Sequence, residues 1–176
     1  MKMNKCKIVG LLLAAFIGLV GFNELTFAAK KGFVPPAWYQ ELPASERFQL
    51  VLGNAAVLDK ETGLVWEKSP DTTTRTWANA IAYAYGKNVG DRKGWRLPTV
   101  EELASLVDPT QSNPALPSGH PFTNVQSSYY WSATTNASGT SNAWGVNFFE
   151  GNGGNGDKSY TFSVWCVRGG HGHDGQ

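Results

Sequence analysis

His120, His171, His173 and Cys166 are the side chains after residue 28 best suited to nucleophilic or acid–base work near neutral pH. A nucleophilic triad sets a Ser or Cys beside a His that an acid orients. His171 and His173 belong to a glycine-rich end, Gly-Gly-His-Gly-His-Asp-Gly-Gln. His120 lies between Gly119 and Pro121 in a stretch that also holds Pro109, Pro114 and Pro117. Such surroundings favour a solvated loop histidine over a catalytic base. His171, His173 and Asp174 offer transition-metal ligands on a tail with nothing to preorganise them. Among carboxylates, Asp59 and Glu61 read as a turn, and Glu101 and Glu102 as a helix start, where the macrodipole favours them. Glu150 and Asp157 bracket a Gly/Asn run. With Asn147, Asn152 and Asn155 they could supply oxygen ligands to Ca²⁺, but their spacing follows no EF-hand pattern. We therefore expect no catalytic centre, no resident metal and no cofactor.

The elements that position these residues are legible in pieces. Residues 48–51 and 55–58 read as short strands. Asp59-Lys60-Glu61-Thr62-Gly63 is a turn, and Leu64-Val65-Trp66 leads out of it as a strand. A helix follows Thr76, with Trp77, Ala80, Ile81 and Ala84 at i, i+3, i+4 and i+7. The organising stretch is Trp95-Arg96-Leu97-Pro98-Thr99-Val100-Glu101-Glu102-Leu103. Pro98 makes a corner. Thr99 and Glu102 match a capping box, and Val100, Leu103, Ala104, Leu106 and Val107 form the apolar face behind it. Arg96 and Arg168 are expected to pair with Glu102 or Asp108 or to stack on aromatics. Residues 109–121 read as a long loop. Residues 129–134 and 143–149 read as a hairpin about a turn at 135–142, residues 150–158 as a Gly/Asn loop, and residues 161–168 as a last strand. The first and last strands are expected to pair. The order gives an α+β fold: antiparallel strands, two short helices and long loops.

Cellular context comes from the start of the chain. Lys2, Lys5 and Lys7 precede an apolar run from residue 8 to residue 21, and Thr26-Phe27-Ala28 has the form of a cleavage site. Residues 1–28 therefore read as a signal peptide, the protein as exported, and residues 29–46, with Pro35, Pro36 and Pro43, as an extended arm. Removing three Lys and one Glu turns a net charge of +1 into −1. No basic field remains for nucleic acid or an anionic membrane. All seven Trp lie beyond residue 28. Trp66, Trp77, Trp95, Trp131 and Trp144 sit in patterned elements and are expected in the core. Cys166 is then the lone mature cysteine: a buried small hydrophobe, an intermolecular link or a reactive thiol. Its alternation with Phe162 and Val164 favours the buried reading.

Several motifs occur together in one order: Thr62-Gly63-Leu64-Val65-Trp66, Thr76-Trp77, Trp95-Arg96-Leu97-Pro98-Thr99, Tyr130-Trp131-Ser132, Ala143-Trp144 and Cys166-Val167-Arg168-Gly169. In them the chain resembles, over about residues 47–170, the Lcl C-terminal domain family, a bacterial domain of unknown function named after a collagen-like adhesin. The resemblance implies a C-type-lectin-like fold, distant kinship with formylglycine-generating enzymes and export. For the founding adhesin it implies binding of sulfated polysaccharide. It also implies that Cys166 has lost a partner, because members often carry a Cys where this chain has Ala84. Such a cross-link is worth ~2–4 kcal/mol.

Scaffold duties absorb most distinctive residues, which leaves the loops at 135–142 and 150–158 as the binding surface. Asn142, Asn147, Phe149, Glu150, Asn152 and Asp157 are the candidate ligand contacts. The function expected is an exported, non-catalytic binding module for an extracellular glycan or protein. The alternatives are an oxidase-like or metal-dependent enzyme, and an envelope-assembly domain docking through residues 29–46. Residues 171–176 read as a flexible tail.

Overall fold

A computed structural model describes residues 42–169. The stretch expected to be a signal peptide, most of the stretch expected to be an arm, and the histidine-bearing tail lie outside these residues. The chain runs α1 (Ala44–Arg47), β1 (Phe48–Val51), β2 (Ala56–Asp59), β3 (Val65–Glu67), α2 (Trp77–Gly86), α3 (Val100–Ala104), β4 (Tyr129–Thr135), β5 (Asn142–Asn147), β6 (Asn152–Asp157) and β7 (Val167–Arg168). The fold is α+β. The strands form two antiparallel sheets, β1-β2-β3-β7 and β4-β5-β6. Three helices are present among the described residues rather than two, because Ala44–Arg47, at the boundary of the expected arm (29–46) and the domain, close one helical turn.

Strand alternation divides the buried side chains between two cores. Val57, Trp66, Tyr130, Val146 and Val167 face one, which Leu103 and Leu106 cover. Ala56, Trp131, Ala143 and Cys166 face the other, which Ala80 and Ala84 of α2 cover. Each longer helix therefore serves one core. Ala104, expected on the apolar face of α3, is exposed. The helix tightens after it into i→i+3 bonds from Leu106 to Leu103 and Val107 to Ala104, which turns Leu106 inward instead. Trp144 joins neither core. It is half-buried and pairs in register with the exposed Asn155.

The corner at residues 95–103 forms as expected. Thr99 Oγ1 accepts the Glu102 N–H at 3.2 Å, and Glu102 Oε2 accepts the Thr99 N–H at 2.8 Å. Arg96 grips the Glu102 carboxylate with two nitrogens, each at 2.7 Å. Thr76 holds the N-cap position of α2, but its side chain makes no capping bond.

The last segment departs most from expectation. β7 pairs with β3, not with β1, which lies at the far edge of the same sheet. Only residues 167–168 are regular strand. Residues 162–166 are stitched to several partners instead. Phe162 bridges Arg75, Ser163 bridges Tyr130, the Glu67 N–H donates to the Cys166 carbonyl, and Val167 also bridges Arg96. Alternation persists, with Trp165 and Val167 in one core and Val164 and Cys166 in the other. Neither side faces solvent.

Candidate functional site

The run at residues 150–158 is not a loop. Asn152–Asp157 forms edge strand β6, paired with β5 from Asn142↔Asp157 to Asn147↔Asn152. The six candidate residues consequently fall into two groups at opposite ends of the β5–β6 ladder. Six residues of strand span about 17 Å end to end, so Glu150 and Asp157 do not converge and the calcium arrangement is not formed. Asp157 Oδ1 instead accepts the backbone N–H and hydroxyl of Ser159, at 2.9 and 2.7 Å. Those bonds hold its carboxyl below the ordinary value. Beside it, Asn142 Nδ2 donates to Asn155 Oδ1 at 3.1 Å. Among the described residues no three His, Cys, Asp or Glu side chains gather as metal ligands.

Asn147, Phe149, Glu150 and Asn152 do come together, at the β5–β6 turn. The Phe149 N–H donates to Asn147 Oδ1 at 2.9 Å, the Gly151 N–H to the Asn147 carbonyl at 2.7 Å, and Asn152 Nδ2 to Glu150 Oε2 at 3.3 Å. The long loop clamps this turn from below. The Asn113 N–H donates to the Phe149 carbonyl at 3.0 Å and the Ala115 N–H to the Phe148 carbonyl at 2.7 Å. Gly151, at φ +79°, lies so close to the core that a Cβ would come within 2.5 Å of Val107 Cγ1. Phe148 is buried beneath the turn, and Phe149 is 47% exposed above it. A fixed turn thus presents one aromatic ring among two amides and a carboxylate.

A second surface on the same sheet was not anticipated. Tyr129, Asn147 and Asn152 form one cross-strand row, and Trp131, Gly145 and Gly154 the next. Glycines floor this face and rings cover it. The Phe162 ring stacks on Trp131 at 4.0 Å and on Tyr129 at 5.2 Å. A Cβ on Gly154 would lie 3.0 Å from the Tyr129 hydroxyl, and one on Gly156 would lie 2.8 Å from Phe162 Cζ and 3.5 Å from Tyr160. These close approaches explain a strand that composition reads as loop, because glycine within a strand marks a place where something packs onto the backbone. At Gly145 the obstacle is the Tyr130 carbonyl, 2.5 Å from a Cβ, and backbone cannot swing aside. Gly145→Ala is expected to destabilise the fold by about 1–3 kcal/mol. Gly153→Ala, with nothing within 4 Å, should change stability little. Urea unfolding of the two variants checks the contrast. The sequence signal for this face is glycine at alternate positions 154 and 156 opposite Gly145, with aromatics at 129, 160 and 162.

The sequence matches the family model of the Lcl C-terminal domain over residues 55–168, most of the described chain. The chain belongs to the Lcl C-terminal domain family. None of the curated proteins compared with it matches. The matched span of this Lcl C-terminal domain takes in the capped corner, the β5–β6 turn and the glycine-floored face; β1 and α1 precede it.

Within the Lcl C-terminal domain Cys166 is a free, fully buried thiol in the same core as Ala84. Burial, together with the nearby Glu67 charge, pushes its pKa up to about 12, so at neutral pH it is a protonated, inert packing group. Glu67 is itself nearly buried. Burial raises its carboxyl pKa against the opposing pull of Lys87, whose Nζ lies 2.6 Å from Oε1. Lys87 also donates to the Tyr83 hydroxyl, and the Arg75 guanidinium lies 3.7 Å from the centre of the Tyr83 ring. This chain of groups fastens α2 to β3 and to the loop before the helix. His120 is half-buried beside Phe122, and burial lowers its pKa. That lowering favours its neutral form at physiological pH.

Proposed function

We propose that this Lcl C-terminal domain is an exported, non-catalytic binding module that takes an extracellular glycan at the β5–β6 turn. The carrying observation is the fixed presentation of Phe149 beside Asn147, Glu150 and Asn152 on a turn clamped by Asn113 and Ala115. Preorganisation of this kind lowers the ordering cost of binding. An exposed aromatic beside amide donors and acceptors suits a ligand with both apolar C–H faces and hydroxyl groups. The export part of the reading rests on the basic, apolar and small-residue succession in residues 1–28.

The test is a glycan array probed with the purified protein and with a Phe149→Ala/Glu150→Ala variant. Both side chains are exposed, so the variant should keep the parent's unfolding transition. The expected result is binding to defined glycans that the variant weakens at least about tenfold. Equal binding by both proteins refutes the site. Capture of proteins with no glycan bound refutes the ligand class.

A further inference from the structure

We propose that β6 is a self-association edge. Two copies of this domain pair their β6 strands antiparallel about a two-fold axis at Asn155 and join their three-stranded sheets into one. Among the described residues the fold covers its other strand edges or keeps them short. The outer side of β4 is stitched to Ser163 and Pro98: the Trp131 N–H donates to the Ser163 carbonyl at 3.1 Å and the Ala133 N–H to the Pro98 carbonyl at 2.7 Å. The outer side of β7 exchanges two bonds with Arg96, at 2.9 and 3.0 Å. β1 has four residues, and its first N–H returns to the Ala44 carbonyl. β6 is left open. Its six residues, Asn-Gly-Gly-Asn-Gly-Asp, carry none of the Lys, Pro or bulges by which proteins blunt an edge.

The ladder fixes which groups face outward. The Lys158 N–H donates to the Ser141 carbonyl at 2.9 Å, and antiparallel bonding alternates along a strand. Asn152, Gly154 and Gly156 therefore bond β5, while Gly153, Asn155 and Asp157 turn their backbone N–H and C=O away from it. Among the described residues, only the Asp157 carbonyl of these outward groups has a partner, the Tyr160 N–H at 2.9 Å, and it keeps a second lone pair. One register uses all of them: Asn155 opposite Asn155 of the second copy, and Gly153 opposite Asp157. A shift of one residue sets outward groups against inward ones, and a shift of two leaves outward groups unmatched within the strand. Side chains suit the same register. Asp157 comes opposite Gly153, where a Cβ would meet nothing within 4 Å, and Gly154 comes opposite Gly156. The two Asn155 amides face each other with a donor and an acceptor apiece. Asn155 Oδ1 accepts Asn142 Nδ2 at 3.1 Å, which leaves its own NH₂ group for the second copy. Lys158 comes opposite Asn152 of the second copy, whose amide is bonded to Glu150, so opposite charges approach at both ends of the seam. A foreign peptide would find no side-chain pocket along these glycines to select it. A second copy supplies a glycine opposite Asp157 and an amide opposite Asn155.

The seam is small, so the dimer belongs to the weak, concentration-dependent class. It sets two β5–β6 turns about 25 Å apart on one sheet, which suits a repeating ligand through avidity. The pairing itself needs no ligand, so its test is independent of the glycan reading. The experiment is sedimentation velocity of the purified protein over a concentration series up to about 1 mM, combined with disulfide cross-linking. The expected result is a rise from monomer to dimer with concentration. Asn155→Pro removes an outward N–H and no bond to β5. Gly153→Lys puts a charge on the edge where a side chain has open space. Each, checked for an unchanged thermal transition, should weaken association at least about tenfold. In a Cys6→Ser background, with Cys166 buried, Asn155→Cys should cross-link to itself, because bonded antiparallel pairs hold their Cα atoms about 5.5 Å apart. Ser138→Cys, exposed on the β4–β5 turn, should cross-link far more slowly. Monomer at every concentration overturns the proposal. So does a dimer that both edge variants retain, which places the contact elsewhere. Cross-linking of Asn155→Cys no faster than that of Ser138→Cys overturns the register.

Discussion

Replacing Arg47 by methionine is expected to lower the unfolding free energy by about 3–5 kcal/mol, among the largest losses available from one residue of this fold. The guanidinium is fully buried and so is the Asp59 carboxylate it holds, with Nε–Oδ1 at 2.9 Å and Nη2–Oδ2 at 2.7 Å. Nη2 also donates to the Ser105 carbonyl at 2.8 Å, and Glu61 Oε2 lies 3.1 Å from Nε. One side chain therefore joins α1, the end of β2, the β2–β3 turn and the residue that caps α3. Removing it leaves a buried carboxylate without its counter-charge. The net worth of the pair is far smaller than that loss, because desolvating two ions consumes most of their attraction. Arg47→Met combined with Asp59→Leu should accordingly regain a large part of the stability. The check is a urea midpoint for the single and double variants at an unchanged denaturant slope. A single-variant loss below about 1 kcal/mol would show the pair to be hydrated and its burial unimportant.

Trp165→Ala is expected to cost a similar amount, about 3–5 kcal/mol, for a different reason. Its ring is fully buried and meets Phe122 edge-on at 4.9 Å, Trp66 at 5.7 Å, Tyr130 at 5.6 Å and Phe148 at 5.5 Å. These neighbours come from the long loop, β3, β4 and the residue after β5, so no one element can relax into the cavity. The indole N–H also donates to the Glu67 carbonyl at 2.7 Å. Trp165→Phe keeps much of the volume and loses that bond, so it should lie between the parent and Trp165→Ala. Chemical denaturation with near-ultraviolet circular dichroism separates the three. Equal stability of the Phe and Ala variants would contradict the cavity account.

What the sequence disclosed depended on how local each device is. The corner at residues 95–103 was legible because its parts lie within six positions: Pro98 sets the bend and Thr99 and Glu102 bond each other. The turn before β3 was legible for the same reason. β6 was not, because what suits glycine to a strand there comes from Tyr129, Tyr160 and Phe162, set by packing rather than by neighbours in sequence. The six candidate contacts were read as lying in or beside the loops that flank one hairpin, yet pairing along β6 separates Asn142 and Asp157 from the other four. Residues 162–166 were read as strand from their alternation, which is real. Nothing in alternation says that the two sides of a segment face two different cores.

That last segment also sets the order in which the molecule can come into being. Each sheet and each core lacks a member until residues 162–168 arrive, since Ser163 joins β4, Cys166 joins β3, and Trp165 and Val164 fill opposite interiors. Within the described residues this segment is the last to be synthesised. During synthesis the earlier hairpins can form, but neither interior can close around them until this segment follows. Completion then joins contacts from Arg75, Glu67, Arg96 and Tyr130 in one step, so a chain that stops short of residue 162 lacks the seam that turns two sheets into one domain.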